Sequence, residues 1–323
     1  MPRHRKERRG VKRRDKQLVR PRRSLSEPND PFSYLSCKEF LEKFRLSKNA
    51  AMTVLDDLSS FGLSDYEYPL HLKLLSTLTF YGTGQSEAAA AMLGVSRTTA
   101  KHIISDVSKG ICDSLKDRYL RFPDNYGLVK LQKDFYRIGQ IGRVVGCVVT
   151  MSVPVELWAR KDMGVFESSC SDQMIKVLAV CGPMGQITYI VVLNNDVKSD
   201  WEILRESILF TLISVGKYKD AVLLTNDTFP KHSRLLRSSD TAATHKDDLI
   251  FSHYRTLRQT ELMFQKIKTR FPCLTVAMEQ ICPTNLDVVL ACAVLHNVCL
   301  RRPTPLPPER KHLFTQKTDQ DGP

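Results

Sequence analysis

The stretch Arg143–Val155, RVVGCVVTMSVPV, constrains the fold more than any other. It is β-branched and apolar along its whole length, which suits a buried strand rather than a helix. This half of the chain is thereby committed to a sheet. The wider segment from Phe135 to Val155 also lacks any acidic residue, so the strand can supply no carboxylate.

Further strand-like runs occur at 174–181 and 186–193, joined by the tight turn Gly182-Pro183-Met184-Gly185. The pattern then predicts a helix over about 200–214 and a strand at Ala221–Thr225. Thr241–Asp248 reads as a polar loop. A long helix is expected from Ser252 to Arg270, and another from Asn285 to Leu300, stopped by Pro303. Upstream, from Phe32 to about Ile111, the apolar spacing is helical: Phe40, Leu41 and Phe44, then Val54, Leu55 and Leu58, then a helix over 70–81. The composition changes after Arg121-Phe122-Pro123.

Within the helical part, Ser86–Leu93 is Ala-rich and short. Gly94-Val95 follows, and Ser96 is an N-cap for a helix running to about Ser108. Short helix, Gly-containing turn and second helix is the helix-turn-helix pattern, though an ordinary helical hairpin shares it. In the DNA-binding version the first turns of the second helix face base edges. Arg97, Thr98, Thr99, Lys101 and His102 are then the candidate reading residues, with Arg and Lys suited to guanine. The spacing leaves Ala100, Ile103, Ile104 and Val107 to pack inward and gives Arg97, Thr98 and Lys101 the outer face.

Charge is unevenly distributed. Net charge is +13 over 323 residues, and residues 1–23 hold twelve Lys/Arg against two acids, leaving +3 on the rest. This arm has no apolar periodicity and is expected to be disordered. It reads as a nuclear-import signal, a phosphate-binding arm, or both, against a plain solvating tail. No apolar run is long enough to span a membrane, so no membrane association is expected. The nine cysteines are scattered with no CxxC pair, a pattern of reduced, buried thiols rather than a zinc site. The segment from Pro303 onward, Pro-rich and polar, is expected to be disordered.

Several segments resemble the Harbinger (PIF-type) transposases and the nucleases domesticated from them. These are Arg121-Phe122-Pro123, Val145-Gly146-Cys147-Val148, Arg270-Phe271-Pro272-Cys273-Leu274 and Leu290-Ala291-Cys292-Ala293-Val294-Leu295-His296-Asn297, together with Thr77–Ile104. Their shared order along roughly residues 32–302 carries the resemblance. It implies an α+β chain: a disordered arm at 1–30, a helical helix-turn-helix domain at 31–120, an RNase H-like (DDE transposase) core at 121–302 ending in a C-terminal helix, and a disordered tail at 303–323.

Such enzymes hold two divalent metals, Mg²⁺ or Mn²⁺, on an Asp, Asp, Glu triad that drives phosphodiester chemistry. Carried over residue by residue, the first Asp falls on Val149, with Ser152 where the family has a His. The second falls on Asn226, and the third acid is Glu261, which is retained. A one-residue slip would bring in Asp227 but requires a bulge or an early strand end. Gly182 replaces an Asp after Cys181, and Asp200 matches a family Asp outside the triad. The implied reading is a nuclear, transposase-derived DNA-binding or partner-binding factor with no competent metal site. An active metal-dependent nuclease using Glu261 and Asp227, or a scaffold without DNA contact, are the rivals. The family's Myb/SANT-like partner protein is implied as a partner here; oligomeric state is left open.

Overall fold

The computed structural model describes residues 30–63, 67–155, 173–194, 198–242, 247–279, 281 and 285–308. The expectations for residues 1–29 and 309–323 lie outside the described residues. Helices α1 (Pro31–Tyr34), α2 (Cys37–Phe44), α3 (Lys48–Phe61), α4 (Leu70–Thr83), α5 (Ser86–Leu93), α6 (Arg97–Tyr119) and α7 (Asn125–Gly139) precede the sheet. Strands β1 (Val144–Val155), β2 (Gln173–Cys181) and β3 (Ile187–Asn194) follow, then α8 (Asp200–Arg205) and α9 (Ile208–Ser214). Strands β4 (Val222–Leu224) and β5 (Leu235–Leu236), α10 (Ser238–Ala242), α11 (Asp247–Arg270) and α12 (Leu286–Arg301) complete the chain.

The five strands form one mixed sheet in the order β3-β2-β1-β4-β5. β1, β2 and β3 pair antiparallel, whereas β4 joins β1 in parallel and β5 joins β4 in parallel. The β-branched run therefore lies at the centre, paired on both edges, as its composition requires. Helices cover both faces. Val153, Ile175, Val177 and Ala179 pack with α11, α12 and the N-terminal helices in one apolar cluster. Val145, Val148, Leu178 and Val180 pack with α7, α8 and α9 in a second. The first cluster runs unbroken from Phe40 on α2 to Val298 on α12. Packing thus crosses the composition change near residue 120.

The strand at 143–155 and the helices at 70–81, 252–270 and 285–300 appear within a few residues of their expected spans, except that α11 begins earlier, at Asp247. The helix expected over 200–214 is two helices, because Ser207 accepts from Phe210 N–H and caps α9. Residues 243–246 of the expected loop lie outside the described residues. Helix α7 goes beyond the sequence expectation. Its buried Leu128, Leu131 and Phe135 share one face, a helical spacing hidden beside the strand signal that follows.

The tail differs too. Residues 303–308 lie against two buried arginines rather than free. Arg270 donates to the carbonyls of Thr304 and Pro305 at 3.0 and 3.1 Å, and Arg45 reaches Pro308 O at 3.4 Å. Proline lacks an N–H, but its carbonyl remains a full acceptor, which is what the guanidinium groups use.

Candidate functional site

Two of the three triad positions lie on neighbouring strands or just past them, β1 and β4, which pair in parallel. Cys147 on β1 lies opposite Leu224 on β4. The pairing ends there: Val149 lies two residues further along β1, and Asn226 two residues past the end of β4. Val149 pairs with Ala179 on β2 and is half-buried against the larger apolar cluster. Asn226 is exposed just past β4, and its Oδ1 accepts from Thr228 N–H (3.3 Å) and Thr228 Oγ1–H (2.5 Å). The amide is thus turned into its own loop.

Glu261 sits on α11, which crosses β1. Thr256 and Thr260 are buried on that helix, and Cys147 Sγ of β1 contacts the Thr256 backbone carbonyl at 4.0 Å. Glu261 follows Thr260 and is rotated about 100° around the helix. It is exposed and enters no hydrogen bond or ion pair among the described residues. Asp227 points elsewhere. It accepts from Ser239 N–H at 3.0 Å, and that bond to the start of α10 draws its carboxyl below the usual range. Ser152 lies opposite Lys176 on β2. Asp200 accepts from Thr150 Oγ1–H at 2.8 Å and pairs with Lys176 at 3.0 Å, locking α8 onto the sheet. An open cleft of about 540 Å³ beside it is lined by Asp200, Trp201, Asp227 and Arg237 among others. Among the described residues, no group of three His, Cys, Asp or Glu side chains is gathered to hold a metal ion.

The second candidate region is the α5–α6 turn. Gly94 takes a φ of 66°, and the N–H of Gly94 and of Val95 both close onto Ala90 O. This left-handed cap reverses the chain. Ser96 Oγ then caps α6 by accepting from Thr99 N–H at 3.1 Å. Arg97 and Thr98 are exposed, as expected of an outer face, whereas Lys101 is half-buried. Arg97 and Lys101, four residues apart, both reach a common acid, Glu279. Thr98, about 100° away, lies with His102 on the exposed side, which continues into Asp106 and Lys109. Thr99 is half-buried.

Glu279 was not visible as a functional residue in the sequence. Its side chain is 4% exposed, and it accepts from Ser86 N–H (2.9 Å), Arg97 Nε–H (2.8 Å) and Lys101 Nζ–H (2.7 Å). Burial alone would raise its carboxyl, but the bonds from Lys101, Ser86 and Arg97 outweigh it and hold it at about 2. Arg97 also reaches Glu87 at 2.6 Å. The neighbouring Met278 donates its N–H to Pro154 O at 2.9 Å and bridges to Val155. One short segment therefore ties the turn region to the end of β1. Gly84 fits the same junction, since a Cβ there would lie 2.5 Å from Val276 Cγ2.

The sequence motifs have structural jobs. Asn297 accepts from Ile187 N–H (3.0 Å) and donates to Ile187 O and Tyr119 O (both 2.7 Å), so it plugs the edge of β3 and ties it to α6. His296 Nε2–H donates to Gly185 O (3.0 Å), and burial lowers the imidazole to about 4. It is therefore neutral at pH 7 and donates. Arg270 and Arg45 clasp each other reciprocally. Arg270 Nη1–H donates to Arg45 O at 2.8 Å, and Arg45 Nε–H to Arg270 O at 2.9 Å.

Comparison with known proteins agrees with the resemblance read from the sequence. Residues 144–297 match the family described as DDE superfamily endonuclease. The chain is 23% identical over 269 residues to the proteins named "Putative nuclease HARBI1" of Bos taurus and Homo sapiens, covering 77% of this chain and 76% of each relative. The protein of that name in Xenopus laevis is 22% identical over 235 residues, covering 71% and 67%. No solved structure matches the chain.

Proposed function

We propose that this chain, a relative of the Harbinger transposase-derived nucleases with a DDE superfamily endonuclease region at residues 144–297, is a nuclear DNA-binding or partner-binding factor that no longer cuts DNA. The β3-β2-β1-β4-β5 order, with β4 and β5 added in parallel, supports an RNase H-like reading of the core. The left-handed Gly94 turn between α5 and α6 supports a helix-turn-helix. Thr98, Thr99 and His102 are then its reading residues. Arg97 and Lys101 brace the helix through Glu279 and only partly face DNA.

The single observation behind lost catalysis is Val149, a half-buried hydrocarbon on the central strand. Two divalent ions need hard anionic oxygens. The donor set does not fit them: one position offers no donor, one an amide held by Thr228, and one an exposed Glu261. Electrostatic stabilisation by metals is most of what such a site supplies, so its loss removes the chemistry rather than slowing it. An active nuclease using Asp227 is disfavoured by that residue's bond to Ser239 N–H. The basic arm is proposed as nuclear signal and non-specific phosphate contact, and a Myb/SANT-like protein as partner on the strength of the family. Mn²⁺ titration of the full chain tests the reading. No saturable site tighter than millimolar is expected, and a micromolar site abolished by Glu261→Ala would overturn it.

A further inference from the structure

We infer that the joined C-terminal ends of α6 and α12 form a second phosphate-binding surface for duplex DNA. This rests on the DNA-binding reading above and extends it to residues that reading does not use. The two helices end side by side. Arg301 Nη2–H donates to Arg118 O at 2.9 Å, and its guanidinium lies 4.6 Å from the Tyr119 ring, with that of Arg118 at 5.4 Å. Lys116, Arg118, Arg121, Arg301 and Arg302 are all exposed here. Arg118 is paired with Asp57 at 2.8 Å, and Asp117 is the acid on the same turn. Lys116, Arg121, Arg301 and Arg302 enter no ion pair among the described residues.

Cations in the last turn of a helix complement its dipole, which accounts for Lys116, Arg118 and Arg301. It does not account for Arg121, two residues past the end of α6, or for Arg302, the cap residue of α12. Phe122, next to Arg121, packs on Tyr218 at 5.2 Å. Arg121 is left facing solvent from an anchored backbone. Bare, positioned guanidinium groups suit phosphodiester oxygens.

The far end of α6 is different. Its two cations are neutralised by Glu279 and Glu87, the exposed Asp106 lies mid-helix, and Asp113 sits one turn before Lys116 at the near end. The 23 residues of α6 span about 33 Å, close to one turn of B-DNA at roughly 34 Å. One duplex can therefore meet Thr98 at one end and the arginines at the other, with the groove rather than the backbone over the intervening acids. That length match favours DNA over an acidic protein segment.

The test is fluorescence anisotropy of the full chain on a duplex of about 30 base pairs across a salt series. Arg121→Ala with Arg302→Ala removes two exposed groups that enter no ion pair among the described residues, so melting should be unchanged. The slope of log K against log salt should become shallower by about 1.8, and Arg121→Lys with Arg302→Lys should restore it. An unchanged slope in a variant that melts normally overturns the inference. So does loss of polyglutamate binding without loss of DNA slope, which would assign the surface to an acidic protein. If Thr98→Ala with His102→Ala weakens binding while the arginine pair does not, only this inference falls. If the wild type binds no duplex, the DNA-binding reading falls first and takes this surface with it.

Discussion

Glu279→Gln should destabilise the protein and leave a pH signature. The carboxylate is held at about 2 against an ordinary 4.5. At about 1.4 kcal/mol per pKa unit, that depression corresponds to roughly 3 kcal/mol of folded-state preference for the charged form. Gln keeps an acceptor for Ser86 N–H but loses the charge facing Arg97 and Lys101. Those two side chains are 47% and 17% exposed and can turn partly to water, so the loss should be nearer about 2 kcal/mol. For a chain of this size, that lowers Tm by about 3 °C. The folded value lies below the unfolded one. The stabilisation is therefore complete above about pH 4.5 and is lost as pH falls toward 2. Denaturant unfolding of wild type and variant at pH 7, 5, 4 and 3 checks this: the gap should be widest at pH 7 and narrow below 4.5. Equal stability at pH 7, or a gap that ignores pH, would refute the reasoning. Arg97→Ala with Lys101→Ala should likewise melt lower, reversing the expectation for an outer-face pair.

Val149→Asp should cost about 2 kcal/mol at neutral pH, because a half-buried carboxylate loses solvation. Its value is raised on folding, so the cost should shrink toward pH 4; an equal penalty at pH 7 and 4 in urea titrations would argue against a carboxylate origin. Truncation after Pro303 should lower stability by roughly 1–3 kcal/mol, since Arg45 and Arg270 lose carbonyl partners while staying buried. Calorimetry reads this directly, and an unchanged Tm would mean the tail contributes nothing.

The sheet was legible because its signals are local. Val144–Val155 and Gln173–Cys181 carry β-branched runs, and burial on both faces leaves little else for them to form. The Gly94-Val95-Ser96 turn was legible for the same reason, as left-handed glycine and N-cap serine act within a few residues. β5, two residues long, has no periodicity to read. The partners of Arg97 and Lys101 on α6 are not legible locally, because they are set from far away. Glu279 meets Arg97 across 182 residues of sequence, and its local context, between Met278 and Gln280, resembles any loop acid. The motif Leu290–Asn297 was visible as a motif, yet the job of Asn297 depends on Ile187, 110 residues earlier. At the triad positions the residue identities are read from the chain, whereas the parallel pairing of β1 with β4, the strands that Val149 lies on and Asn226 follows, is a long-range feature of the fold.

The central claim is that the chemistry has been lost from a retained fold. The most direct measurement is nicking of supercoiled plasmid by the purified full chain in Mg²⁺ and in Mn²⁺, with Glu261→Ala in parallel. The account predicts no cleavage above background and no difference between the two proteins. Metal-dependent nicking by the wild type that disappears in Glu261→Ala would contradict it.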